Sequence, residues 1–149
     1  MRKDEFFVQV AHAMSGCQAV EQGLKLYLTE AFEAVRLRVA PLMPFKMSGR
    51  DYENAPLERL IDVFAKFTND DELVKALRKF KDERNYLTHR AIAECLDPMG
   101  QVDFRALEDF EPRLKAIGPE AERLGAKIYG LQNWLSFMRD VEGVGKDGG

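Results

Sequence analysis

The chain has 149 residues, 46% hydrophobic and 32% charged. That balance describes one soluble globular domain with a real core; it excludes a disordered chain and leaves no room for a second domain. A net charge of -3 and a pI near 5.5 argue against a general nucleic-acid coat, no apolar run approaches the ~20 residues that span a bilayer, and MRKDEFF lacks a signal-peptide core, so a cytoplasmic protein without membrane attachment is expected.

A first helix is expected from Asp4 to Val39. Phe7, Val10, Met14, Cys17, Leu24, Leu28, Ala31 and Val35 follow alternating three- and four-residue steps, with Phe6, Ala13, Val20 and Tyr27 thickening the stripe on one side. Glu21 occupies the one missing place in that seam. It reads as a register-fixing polar residue, as a salt bridge to any core cation, or as the partner of Arg84, since two buried charges cost less paired than apart. His12, between alanines, reads as a half-buried structural residue. Cys17 and Cys95 match no ligand spacing and no disulfide framework, and read as small buried side chains. No metal-ligand cluster, Gly-rich phosphate loop or nucleophile elbow is present, and neither a metal nor a cofactor is expected.

Residues 40–55 carry Pro41, Pro44 and Gly49 and break the helical pattern. Phe45, Met47 and Tyr52 in this loop either cover the end of the core or stack on a base. Pro56 then suits the first position of a short helix with Leu57, Leu60, Ile61, Phe64 and Phe67 on one face, ending before Thr68.

A further helix is expected over Asp70–Cys95, with Asn69 as N-cap and Glu72 completing a capping box. Leu73, Leu77, Phe80, Leu87 and Ala91 form its apolar stripe, and Arg84 falls inside that stripe where an apolar side chain is expected. An unpaired buried guanidinium is costly, so Arg84 needs a partner or a job. Between Lys75 and Arg90 six basic residues (Lys75, Arg78, Lys79, Lys81, Arg84, Arg90) face two acids (Asp82, Glu83). They read as a solvated face or as contacts to a phosphate backbone. Asp97-Pro98-Met99-Gly100 is a turn, Asp103 caps the last helical segment, and Gly118-Pro119 is expected to kink or divide that segment. Residues 1–142 thus read as one all-α domain, an antiparallel bundle of four or five helices, and 143–149 as a disordered tail.

Arg84-Asn85-Tyr86-Leu87-Thr88-His89 resembles the R-x(4–6)-H motif of the HEPN superfamily, small all-helical proteins that include many metal-independent ribonucleases of bacterial toxin and defence systems. In that family a polar residue, often Asn, follows the Arg. The resemblance implies RNA as substrate, a homodimer in which two motif helices face each other, and an antitoxin or defence partner protein.

The residues suit the chemistry the resemblance implies. RNA carries its nucleophile, the 2′-hydroxyl beside each phosphate. His89 can take that proton, Arg84 can stabilise charge on the phosphorus, and Asn85, one turn before His89, can orient phosphate or imidazole. Products would be a 2′,3′-cyclic phosphate and a 5′-hydroxyl, and DNA would be inert. Tyr86, Leu87 and Thr88 read as packing residues. On an ideal helix Arg84 and His89 point roughly 140° apart at about 100° per residue, so a groove or a second subunit must bring them together, with Glu21, Asp82 or Glu83 offsetting the positive charge at a two-fold axis. In the toxins silenced by nucleotidyltransferase antitoxins a Tyr lies two residues after the His; Ala91 stands there in this chain. Two rival readings keep the fold and drop the catalysis: a HEPN-like binding module for nucleotide, RNA or a partner protein, and a purely structural helical dimer.

Overall fold

A computed structural model describes the backbone of residues 2–147 and, apart from Ile92 and residues 143–147, their side chains. Helices α1 (Lys3–Val39), α2 (Leu57–Phe64), α3 (Asp71–Tyr86), α4 (Ile92–Cys95) and α5 (Phe104–Asp147) follow in order. A 3₁₀ turn at Gly49–Tyr52 lies between α1 and α2, and a π-helical turn at Leu87–Ala91 joins α3 to α4. Among the described residues there is no strand, only an isolated bridge between Leu96 and Val102. The all-α bundle expected from the periodicity is what forms, and no described helix is long and apolar enough to cross a membrane.

The two long helices, α1 and α5, pack side by side and run parallel, with His12 against Gly118, Gly23 against Ile128 and Glu30 against Arg139, so for this pair the expected antiparallel arrangement is corrected; α2 packs on α1, and α3 packs on α2 and α5. Close approach of the long pair depends on missing side chains. A Cβ on Gly16 would lie 2.8 Å from that of Ala121, and one on Gly118 would meet the His12 ring at 2.6 Å. Gly118 of the expected break is therefore pressed against α1 while Pro119 is exposed, and α5 runs unbroken through Pro112 and Pro119. A proline inside a helix costs about 3 kcal/mol. Burial of Leu114, Ile117, Ala121 and Leu124 on either side of Pro119 more than offsets that. The helix continues to Asp147, so most of the expected disordered tail is helical backbone; Gly148 and Gly149 lie outside the described residues.

The core takes both parts of the α1 stripe from Cys17 to Ala31, with Cys17, Leu24, Leu28 and Ala31 of the main seam buried, but nearer the start of the helix it takes only the flanking side. Phe6, Ala13, Val20 and Tyr27 are buried, whereas Phe7 is 43% exposed and Val10 and Met14 are only partly covered. A wide apolar stripe leaves this choice to the packing partners, and α5 and α2 lie along its other flank. Tyr52 is buried and stacks on Phe32 with ring centroids 5.6 Å apart, and Phe45 packs beside it, so both cover the core; Met47 is exposed. Leu57, not Pro56, opens α2, and Pro56 is its N-cap. α3 is capped by Asp70, whose carboxylate accepts from the Leu73 N–H, and not by Asn69. Asp103 caps α5 by accepting from Arg105 and Ala106.

Candidate functional site

α2 is tied to the middle of α3 by ion pairs. Asp62 meets Arg78 at 2.8 Å, and Glu58 lies 3.9 Å from Lys81, which also meets Asp82 at 3.4 Å. These steps run backwards along α2 as they run forwards along α3, so the two helices are antiparallel. α2 starts at Leu57, beside Lys81. The face of α3 that continues through Asn85 and His89 therefore lies beyond its end. Asn85 is half-buried and His89 exposed, and neither side chain has a hydrogen bond or ion pair among the described residues.

Arg84 points the other way, toward α1. Its Nη2 lies 3.2 Å from Glu21 Oε1, with the two side chains 30% and 20% exposed, so the charges set into two apolar stripes do meet. The pairing is incomplete. Arg84 Nε is buried without a hydrogen-bond partner, the one such side-chain atom among the described residues. Cys17 lies beside the pair, and burial pushes its thiol up to about 11; the field of Arg84 pulls against that and Glu21 adds to it. Both cysteines are buried, as expected, and burial raises Cys95 as well.

Between Arg84 and His89 the helix widens. The Leu87 N–H closes on the carbonyls of Glu83 and Arg84, and Leu87–Ala91 then form the π-helical turn. The Thr88 hydroxyl lies 3.1 Å from the Arg84 carbonyl and 3.3 Å from that of Asn85, so it serves acceptors at the junction. A turn that closes i→i+5 advances less per residue than an α-helix, and such turns recur at functional sites. It rotates His89 back toward the side of Arg84 and shrinks the divergence of an ideal helix. Nothing in the apolar periodicity signals it.

On the opposite flank of α3 the sequence reading missed a residue. Arg113, from α5, makes two hydrogen bonds to Glu83 at 2.9 and 3.0 Å, and its guanidinium lies 3.5 Å from the centre of the Tyr86 ring. The Glu83 contact raises the Arg113 pKa. Tyr86 packs in turn on Phe110. Beside this pair runs a groove of about 710 Å³ between α3 and α5, floored by Phe80, Pro112 and Ile117 and rimmed by Lys79, Glu83 and Arg123. The basic cluster is thus divided. Arg78 and Lys81 are engaged with acids, Lys75, Lys79 and Arg90 are exposed without an ion pair among the described residues, and Glu83 is spent on Arg113. His12 is exposed, its ring resting on Gly118. No group of acids, histidines and cysteines suited to a metal occurs among the described residues.

No protein-family model, no curated protein and no solved structure matches the chain.

Proposed function

We propose that the protein is a HEPN-like, metal-independent endoribonuclease of toxin or defence type, acting as a homodimer through the motif face of α3. His89 takes the 2′-hydroxyl proton, Arg84 stabilises the phosphorane, and Asn85 orients the scissile phosphate. The observation that carries the reading is Arg84 itself. It is a partly buried guanidinium with an unpartnered Nε, placed one widened turn before an exposed imidazole. Its remaining donors are the kind that grip phosphate oxygens. The uncovered face beyond α2 gives a second copy room to approach, with Glu21 and the exposed Asp82 to temper repulsion between two basic clusters. Lys75, Lys79 and Arg90 are the cations free to hold the RNA backbone. A toxin's antitoxin or a defence partner would act on the same face, without the tyrosine that Ala91 replaces.

One observation favours a second reading, a binding module without catalysis: Glu21 already sits on Arg84. Labelled RNA incubated in EDTA with the native protein, His89→Ala and Arg84→Ala separates the two. Cleavage to 2′,3′-cyclic phosphate ends, reduced at least ~100-fold in both folded variants, is the expected outcome. RNA binding without cleavage gives the module, and neither binding nor cleavage leaves a helical scaffold.

A further inference from the structure

Fully buried side chains in α5 stop at Ile128. Among the described residues, the helix beyond it is held along α1, through the partly buried Leu131 and Leu135 and the ion pairs Arg139–Glu30 and Arg38–Glu142. Phe137 and Val141 on its far side are 63% and 49% exposed, Trp134 is 62% exposed at the edge of the groove with Ala34 and Leu37 of α1, and with Ala126 and Gly130 the three follow three- and four-residue steps. An exposed glycine inside a helix costs about 1 kcal/mol against alanine. A Cβ on Gly130 would meet nothing within 4 Å, so nothing in this chain requires the glycine. An approaching neighbour would.

We infer that this outer face of α5 is the contact surface for a second copy of the chain, paired antiparallel about a two-fold axis between Asn133 and Trp134. The register follows from the spacing. An axis at that point sets Phe137 of each copy over Gly130 of the other, and Val141 over Ala126, a large side chain against a small one both times. It also sets the two Trp134 rings beside each other. The same surface serves both copies, as an isologous interface demands. The exposed parts of Trp134, Phe137, Val141 and the flanking Tyr129 come to roughly 400–500 Å² per copy, so full coverage by the pair removes roughly 800–1,000 Å² from water, at the lower edge of specific interfaces. Helices that lie on lipid carry a basic rim; this stripe is flanked by Lys127, Asn133 and Asp140. This surface is separate from the motif face and stands whether or not the chain cleaves RNA.

Trp134 is the chain's only tryptophan, so its emission reports on this face alone. Sedimentation and fluorescence of the full chain from 0.1 to 100 µM should show a dimer forming together with a blue shift. Gly130→Leu and Phe137→Glu should weaken that dimer more than 10-fold with helix content unchanged. A short bismaleimide should couple Asn133→Cys to itself, and should leave Glu122→Cys uncoupled, about 17 Å along the helix from the axis. A monomer with red-shifted emission throughout overturns the proposal. So does a dimer indifferent to both variants, coupling at 122 in place of 133, or a blue shift that appears only with phosphatidylcholine–phosphatidylglycerol vesicles.

Discussion

Two arginine–glutamate pairs flank α3, and they are built differently. Arg113 gives Glu83 a bidentate contact and lies flat on Tyr86, a geometry that uses most of what a guanidinium offers. Arg84 reaches Glu21 through one nitrogen at 3.2 Å and leaves Nε buried without a partner. The better-satisfied arginine is also the more exposed, at 42% against 30%. An arginine kept only for structure would be expected to resemble Arg113. A buried donor left unpaired costs about 1–3 kcal/mol, and such costs persist where a ligand supplies the missing acceptor. Under the proposed function, this contrast makes Arg113 the structural arginine and Arg84 the chemical one.

Exchanging each arginine for lysine is the sharpest way to break that contrast. Lysine keeps the charge and loses the planar fork. Arg84→Lys should lower RNA cleavage by about 100-fold or more while the melting temperature moves little. Arg113→Lys should do the reverse, leaving cleavage within a few-fold and lowering stability. Equal effects on cleavage from both exchanges would remove the distinction.

The carboxylate partners give a smaller effect with a definite order. Glu21→Gln strips a partly buried guanidinium of its counter-charge and should cost about 2 kcal/mol in denaturant unfolding. Glu83→Gln should cost about half as much, because Arg113 keeps its aromatic platform and its access to water. If Glu83→Gln proves the more damaging, Arg84 is the less constrained of the two and the comparison fails.

How much of this was legible in sequence depends on the kind of signal. Glu21 and Arg84 announced themselves because each interrupts an apolar stripe, and a violated period is visible without coordinates. The helices were legible for the same reason, with α1 ending at Val39 as the apolar steps do. Arg113 gave no such signal. It follows Pro112 in a charged stretch, and its partner lies 30 residues away on another helix. The π-turn was hidden because it is a shift in main-chain hydrogen bonding that Leu87, Ala91 and their neighbours satisfy as readily as an α-helix. Asn69 and Asp70 are both good caps, and the choice between them rests on a single turn of backbone. The unbroken α5 was misread because prolines are local facts, whereas the contacts of Gly118 and Ala121 with α1 are not.

Cys17 offers the mildest test, because it senses the charged pair without taking part in it. Burial holds its thiol at about 11, above the ordinary 9. A folded-state pKa raised for an acid means that the fold prefers the protonated form. The stabilisation is therefore complete below the unfolded value near 9 and fades as pH rises from 9 toward 11. Stability measured across that window should fall more steeply in the native chain than in Cys17→Ala, with the two profiles parallel below pH 8. Arg84 works against this rise by favouring a thiolate nearby, and Glu21 opposes Arg84. In the Glu21→Gln background the cysteine-dependent loss should accordingly shrink and level off at lower pH, while still starting near 9. An unchanged loss there would mean that the guanidinium has moved away from Cys17, and so that Glu21 alone holds it in place.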